Sequence, residues 1–368
     1  MDAIREDVFI TELIINKVRH LENIHIPLSE TERKHLILTG KNGSGKTSIL
    51  ETLANRFNNQ PNYMTAVSWN FNTKLKGFTQ SSLEKELVLA FYDARHSSLF
   101  EKPDGLKSIE LKERSKINEK PGEVFLQHIV NLKAEKSFAR DDADNETVKS
   151  IDNWFGMFED ALRELFDDPS LKLVFDRKQF NFQIIQHKRE PFDFNTLADG
   201  YSAIINIITD LIMRMEQRKT KSYDSQGIVL IDEIESHLHI DMQKKILPFL
   251  TRFFPRVQFI VSTHSPFVLN SIPNAIIYDL EKNLLVSDLS AYSYDAILES
   301  YFDNDKYSQY VKDKLTQYEL LIIKENRTDA EEKSLLNLKK YLEETPRALA
   351  PELKARFLQI KLSQIGKQ

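Results

Sequence analysis

The chain contains no cysteine, so disulfide scaffolds, cysteine nucleophiles, cysteine-built zinc sites and iron–sulfur clusters are all excluded. It also lacks any apolar run near the roughly 18 residues that a membrane-spanning helix needs. Its first residues, Met1 to Phe9, hold no apolar signal core. A cytoplasmic protein without a membrane partner is therefore expected. Positive charge is not in excess either: 50 basic residues face 55 acidic ones, for a net charge of −5. The molecule as a whole is no polycation for nucleic acid, although a local basic patch stays open. Glycine is scarce, with ten in 368 residues. Apolar residues are not: at 41% they suffice for two compact units of about 150 residues, or for one large α/β domain with additions.

Two short strands are expected around Phe9–Ile15 and Asn23–Pro27, joined by a tight turn. Lys34–Thr39 is a short apolar run that stops at a glycine-containing loop, the pattern of a buried strand, and Ser48–Phe57 continues as a helix. A second strand pair is expected at about Met64–Phe71 and Glu86–Tyr92. Residues 95–190 are more polar, with helices expected at 122–136 and 145–166 and a hairpin at 171–187. Asp199–Gly200 then opens an apolar helix to about Met215. Gly227–Ile231 and Val257–Ser262 read as further buried strands, with a helix at 241–253 between them. Strands separated by helices argue for a parallel, doubly wound sheet. From about 293 the chain turns helical and charged. The expected organisation is a first lobe at 1–94, an insert at 95–190, a second lobe at 191–292 and a helical tail at 293–368.

Three motifs carry chemistry. Residues 40–47 match G-x-x-x-x-G-K-[ST] in full, after a strand and before a helix. Glycines let backbone N–H groups turn inward around phosphate oxygens, and the helix N-terminus adds positive potential. Gly40, Asn42, Gly43, Ser44, Gly45, Lys46, Thr47 and Ser48 are thus candidate ATP-binding residues. Lys46 would neutralise the β- and γ-phosphates and the Thr47 hydroxyl would ligate Mg²⁺. In a chain so poor in glycine, a chance match is rare. The second motif is Ile228 to Glu233, an apolar strand ending in two acids. Asp232 is placed to hold Mg²⁺ in the Walker B role, and Glu233 to polarise an attacking water. The third is Val261 to Pro266, where His264 follows another apolar strand and can donate to a γ-phosphate.

Together these residues resemble the ABC-type ATPase heads of the SMC/RecF and OLD-like group, including predicted ATP-binding proteins involved in virulence. The resemblance covers about residues 8–290 and rests on the phosphate loop, on "LADGYSAIINIITDL", on "IVLIDEIESHLH" and on "FPRVQFIVSTHSPFVL". It implies a P-loop NTPase of the α/β class, an ABC-ATPase head with a mixed sheet, a helical insert and a helical C-terminal tail. It also implies that Leu197–Tyr201 is the signature segment, with Leu197, Asp199 and Gly200 reaching the γ-phosphate of a partner subunit. On the same grounds Glu235–His239 is the loop facing the other active site, and His264 is the switch histidine. The chain departs from many ABC proteins at Ala198, where serine is usual, and at Asp199, which replaces a glycine. A lost hydroxyl contact implies slow turnover. Gln80 is the candidate for the glutamine that links the two lobes.

The stretch between Lys46 and Asp232 lacks sustained heptads, which excludes a long SMC-type coiled coil. Asp303 and Asp305 form a DxD pair in a polar helical stretch and read as a solvated surface rather than a nuclease site. His237, His239, Glu235 and Asp241 could be drawn as a metal cluster, but the ABC loop explains them better. Stand-alone heads of this group resemble the ATPase subunits of anti-phage systems such as Septu, PARIS and retron-linked modules. That implies a homodimer or higher homo-oligomer around ATP, acting for a separate effector protein, often a nuclease. The alternative is a RecF-like DNA-binding ATPase in repair, for which Lys107, Lys112, Arg114, Lys116, Lys133, Lys136 and Arg140 could supply a basic stripe. A transporter subunit is the weakest alternative. The tail is expected to start with a helix at Tyr294, Ile297 and Leu298 that packs on the head. Its 310–360 stretch, with Leu315, Leu320, Ile322, Leu335, Leu338 and Tyr341 among charges, is expected to serve oligomerisation or effector docking.

Overall fold

Five of the chain's most apolar segments lie side by side as parallel strands in the computed structural model, which describes residues 7–72, 86–95, 100–112, 114–217, 224–297, 309–324, 326–344 and 355–360. These strands are β3 (His35–Thr39), β5 (Val88–Tyr92), β9 (Gly227–Ile231), β10 (Val257–Ser262) and β11 (Ala275–Asp279); the antiparallel β12 (Leu284–Val286) completes a sheet of order β12-β11-β3-β10-β9-β5. β3, β9, β10 and β11 are buried at every residue, as near-continuous apolar runs require when both faces of a parallel sheet are covered. The sheet is mixed, as the resemblance implies.

A second sheet is antiparallel, with β1 (Ile10–Val18) between β2 (Leu21–Pro27) and β4 (Val67–Phe71). The turn from β1 to β2 passes through Arg19 at φ 53. The expected pairing of the 64–71 and 86–92 segments does not occur: β4 joins β1, and β5 forms an edge of the parallel sheet. The reason is legible in the side chains. β4 alternates buried Val67 and Trp69 with the more exposed Ser68 and Asn70, which suits a sheet with one wet face, whereas Val88, Leu89 and Ala90 are buried in succession. Strands β11 and β12 complete the main sheet beyond the segments expected from pattern.

Helix α1 (Lys46–Phe57) follows β3 and buries Ile49, Leu50 and Leu53. Helices α2 (Phe125–Asp141) and α3 (Asn145–Leu165) precede a third sheet of β6 (Lys172–Asp176), β7 (Asn181–Ile185) and β8 (Phe192–Asp193). Asp144 caps α3 by accepting the Thr147 N–H. α4 (Asp199–Glu216) is buried from Ala203 to Met215; α5 (Ile240–Phe253) and the short α6 (Pro266–Leu269) complete this unit, which runs from Met1 to Tyr292.

The residues that lock α4 in place are polar. Arg214 donates through Nε to Asp210 Oδ2 at 2.7 Å and through Nη1 to the carbonyls of Leu89 (2.8 Å) and Lys116 (3.1 Å). Tyr92 donates its hydroxyl to the same Asp210 oxygen at 2.8 Å, and the Gly122 N–H donates to Oδ1 at 3.0 Å. The guanidinium thus occupies a carbonyl on the open side of edge strand β5, a position that would otherwise invite another strand.

The second unit, Ser293–Gln368, carries α7 (Tyr294–Ala296), α8 (Gln309–Ile323) and α9 (Asp329–Glu344). Leu315, Tyr318, Leu338, Leu342 and Phe357 form its own small core. Leu298, Asp303 and Asp305 lie outside the described residues, as does Gln80.

Replacing Asp210 with Ala should destabilise the protein by about 3–5 kcal/mol in urea unfolding, because Arg214 is then buried without its counter-ion. Acid should weaken the fold as well. Burial holds His35 at a pKa of about 3, where its Nδ1 accepts the Phe259 N–H, against 6.5 when unfolded. Stability is therefore full above pH 6.5 and declines by about 1.4 kcal/mol per unit as the pH falls toward 3. His35→Gln should flatten that slope in pH-dependent unfolding.

Candidate functional site

The carboxyl ends of β3, β9, β10 and β11 open on one edge of the sheet, where ligands of open α/β folds collect. From β3 the chain passes through Gly40, Gly43 and Gly45 at φ 127, 84 and 104, values that L side chains rarely adopt. A Cβ on Gly43 would meet nothing within 4 Å, so this part of the loop is open to a ligand. At Gly45, the residue before α1, a Cβ would come within 2.6 Å of Leu21 Cδ1. No side chain caps α1, so its first N–H groups remain available for an anion.

Lys46 is buried and donates from Nζ to the carbonyls of Gly40 (2.8 Å) and Lys41 (3.1 Å). Burial lowers its pKa, while Asp232, Glu233, Glu235 and Asp279 oppose that loss of charge. Thr47 is exposed beside it and Ser48 is buried. Ser44 is half-buried, and its hydroxyl has no partner. Asn42 is exposed. Lys41 reaches Glu281 at 2.6 Å, and Asp279 accepts the N–H groups of Glu281 and Lys282, so the turn after β11 braces the loop.

Asp232 ends β9 almost fully buried, with its N–H on the Tyr92 carbonyl at 2.9 Å. Ser262 stitches the two neighbouring strand ends together. Its hydroxyl donates to Asp232 Oδ1 at 2.6 Å and accepts the Glu233 N–H at 2.7 Å. Glu233 stands at φ 47, a left-handed conformation that costs a non-glycine residue about 1 kcal/mol or more, and accepts from Ser236 Oγ at 3.0 Å. Burial lowers the pKa of His264 and Lys46 lowers it further, against the opposing pull of Glu233 and Asp232. Glu235 turns back to its own chain and accepts the His264 N–H at 2.5 Å.

The structure therefore brings together the phosphate loop, Lys46, Asp232, Glu233 and His264. It sets the segment Leu197–Tyr201 at a different place. Ala198, Gly200 and Tyr201 line a separate cleft of about 390 Å³ with Leu165, His237, His239 and Asp241, and no residue of the phosphate loop takes part. Asp199 is exposed at the start of α4, and Leu197 and Gly200 are half-buried. Tyr201 stacks on Phe166 with ring centroids 4.3 Å apart. A Cβ on Gly200 would lie 2.9 Å from the His237 carbonyl oxygen, so helix and loop touch backbone to backbone.

Sequence reading missed Ser262, Asp279 and Glu281. Ser262 was within reach, since a hydroxyl ending an apolar strand beside an Asp-Glu pair has an obvious partner; Asp279 needed the recognition of β11. The open glycine loop, the uncapped helix start, Lys46 and the exposed Thr47 hydroxyl fit a nucleoside triphosphate. Asp232 adds one carboxylate for a divalent cation. Among the described residues no three His, Asp or Glu side chains converge as a metal centre, so such a cation would take most of its ligands from phosphate and water.

Residues 67–270 match the protein family described as "AAA domain, putative AbiEii toxin, Type IV TA system". The chain is 28% identical over 286 residues to the Septu protein PtuA of Bacillus mycoides (strain KBAB4), covering 72% of this chain and 39% of that protein. Over 114 residues it is 35% identical to the "Retron Ec83 probable ATPase" of Escherichia coli, covering 30% of this chain and 19% of that one. The chain thus spans less than half the length of these two relatives. Among solved structures, the Smc head bound to the C-winged helix domain of ScpA aligns with a TM-score of 0.44 at 14% identity, over 77% of this chain and 99% of that one.

Ser262→Ala strips one hydrogen bond from Asp232 and one from Glu233. We expect a loss of about 1–3 kcal/mol in denaturant unfolding, because the Asp232 carboxylate stays buried.

Proposed function

The chain belongs to the family described as "AAA domain, putative AbiEii toxin, Type IV TA system", and from that premise we propose that it is an ABC-type ATPase that binds ATP with Mg²⁺, hydrolyses it slowly, dimerises around it and regulates a separate effector in bacterial anti-phage defence. One observation carries the ATPase reading: a buried lysine under an open glycine loop, faced by carboxylates from the ends of β9 and β11. The Septu and retron names of the relatives support the anti-phage part.

The loop amides and Lys46 bind the triphosphate and orient its γ-phosphate. In doing so Lys46 exchanges two loop carbonyls for phosphate oxygens, a stronger, charge-assisted partner. A divalent cation, held by Thr47 and Asp232 when bound, supplies charge neutralisation at the phosphates. Glu233 accepts a proton from the attacking water, and its strained backbone fixes the carboxylate at the strand end. His264 donates a hydrogen bond to the γ-phosphate oxygens from the end of the neighbouring strand β10.

Leu197, Asp199 and Gly200 do not border this loop within the chain, which accords with a signature segment acting on a second copy. Ala198 offers no hydroxyl there, the basis for slow turnover. The lobes, insert and tail proposed from sequence then take the roles of nucleotide grip, helical insert and docking element. The basic stripe of a DNA-binding reading is partly spent. Lys112 pairs with Glu119 and Lys136 with Asp152, while Lys133 lies over Phe155.

Lys46→Ala should abolish ATP binding in calorimetric titration, whereas Glu233→Gln should bind ATP and lose about 10²-fold or more in phosphate release. Turnover by Glu233→Gln at the wild-type rate would remove Glu233 from the role of base. Glu233→Gln purified from its host with ATP and Mg²⁺ should have the intact mass of a homodimer plus a stoichiometric second protein; a bare monomer would sink the dimer and effector together.

A further inference from the structure

Glu235 lies in the loop after Glu233, and its two oxygens have unequal surroundings. Oε1 accepts the His264 N–H at 2.5 Å and the Thr263 hydroxyl also bonds the carboxyl, while Oε2 is buried with no close hydrogen-bond partner. An orphaned carboxyl oxygen costs stability, and folds keep such groups where something else depends on them. What depends on Glu235 is the segment after β10. That strand ends at Ser262, Thr263 still donates its N–H to the Leu38 carbonyl, and the His264 N–H then lies beyond the sheet ladder. Without a partner from outside the sheet, this amide would be unpaired. Glu235 supplies it, and Ser265 fixes the far side of the histidine by donating to Gln243 Oε1 at 2.7 Å. The backbone on either side of His264 is thereby pinned to the β9 side of the site.

We propose that Glu235 is a positioning residue for turnover: by accepting the His264 N–H it fixes where the His264 imidazole stands relative to Lys46 and Glu233. The proposal rests on the reading of the site as an ATPase. Glu235 need not touch nucleotide, so its removal should slow the chemical step and leave nucleotide affinity in place. Burial raises its pKa, and Glu233 adds to that shift. A glutamine keeps an acceptor oxygen toward the His264 N–H and so preserves the clamp.

The test is steady-state ATP hydrolysis and calorimetric ATP binding for the full chain as wild type, Glu235→Ala, Glu235→Gln, His264→Ala and the double variant Glu235→Ala/His264→Ala. Glu235→Ala should lose about tenfold or more in kcat with the ATP Kd within about threefold, and Glu235→Gln should recover most of the rate. In the His264→Ala background the further loss should shrink to about twofold or less, since the clamp then holds nothing that acts. If the alanine variant does not fold, Glu235→Asp, with a reach one methylene shorter, should show the same fall in kcat. Full additivity with His264→Ala, a loss confined to KM, or a wild-type rate for Glu235→Ala would each overturn the clamp while leaving the ATPase reading intact. A wild-type protein that binds ATP and never hydrolyses it would overturn both.

Discussion

Charge balance around Lys46 is the constraint on which the rest of the site depends. Parallel strands send their carboxyl ends to one edge, and here those ends carry Asp232, Glu233, Glu235 and Asp279. Like charges gathered in a partly desolvated place repel, and the fold answers in several ways at once. Lys46 sits among them, Ser262 donates to Asp232, backbone N–H groups donate to Asp279, and the His264 N–H donates to Glu235. Each donor is drawn from a strand end or the loop beyond it. The loop conformations after β9, β10 and β11 therefore follow from electrostatics as much as from packing.

That balance has a mechanical counterpart. Tyr92 gives its carbonyl to the Asp232 N–H and its hydroxyl to Asp210 of α4. One residue thus joins the strand that ends in the acidic pair to the helix that begins at Asp199. Arg214 extends the same cluster to the carbonyls of residues 116 and 119, so the segment before α2 is tied in as well. Buried ion pairs contribute little net stability, but they discriminate strongly between arrangements, because an unpaired member is so costly.

Much of this was legible in the sequence, for identifiable reasons. The phosphate loop is read from residue types at fixed spacing, and the conformations at Gly40, Gly43 and Gly45 are those the spacing implies. Fully apolar runs such as Gly227–Ile231 give buried parallel strands because no polar face is left to solvate. The 64–71 and 86–92 segments were legible as strands but not as to partner, since adjacency in sequence says nothing about which sheet a strand joins. β11 carried a signal in the run Ala275–Tyr278, bounded by Pro273, yet it is short and easily overlooked. Least legible was the part Glu235 plays at His264, which depends on the stagger between neighbouring strand ends that only the three-dimensional register sets.

The contact of Gly200 with the His237 carbonyl has one more implication. The His237 carbonyl lies so near Gly200 that any side chain at position 200 would push the first turn of α4 away from the loop that carries Glu233.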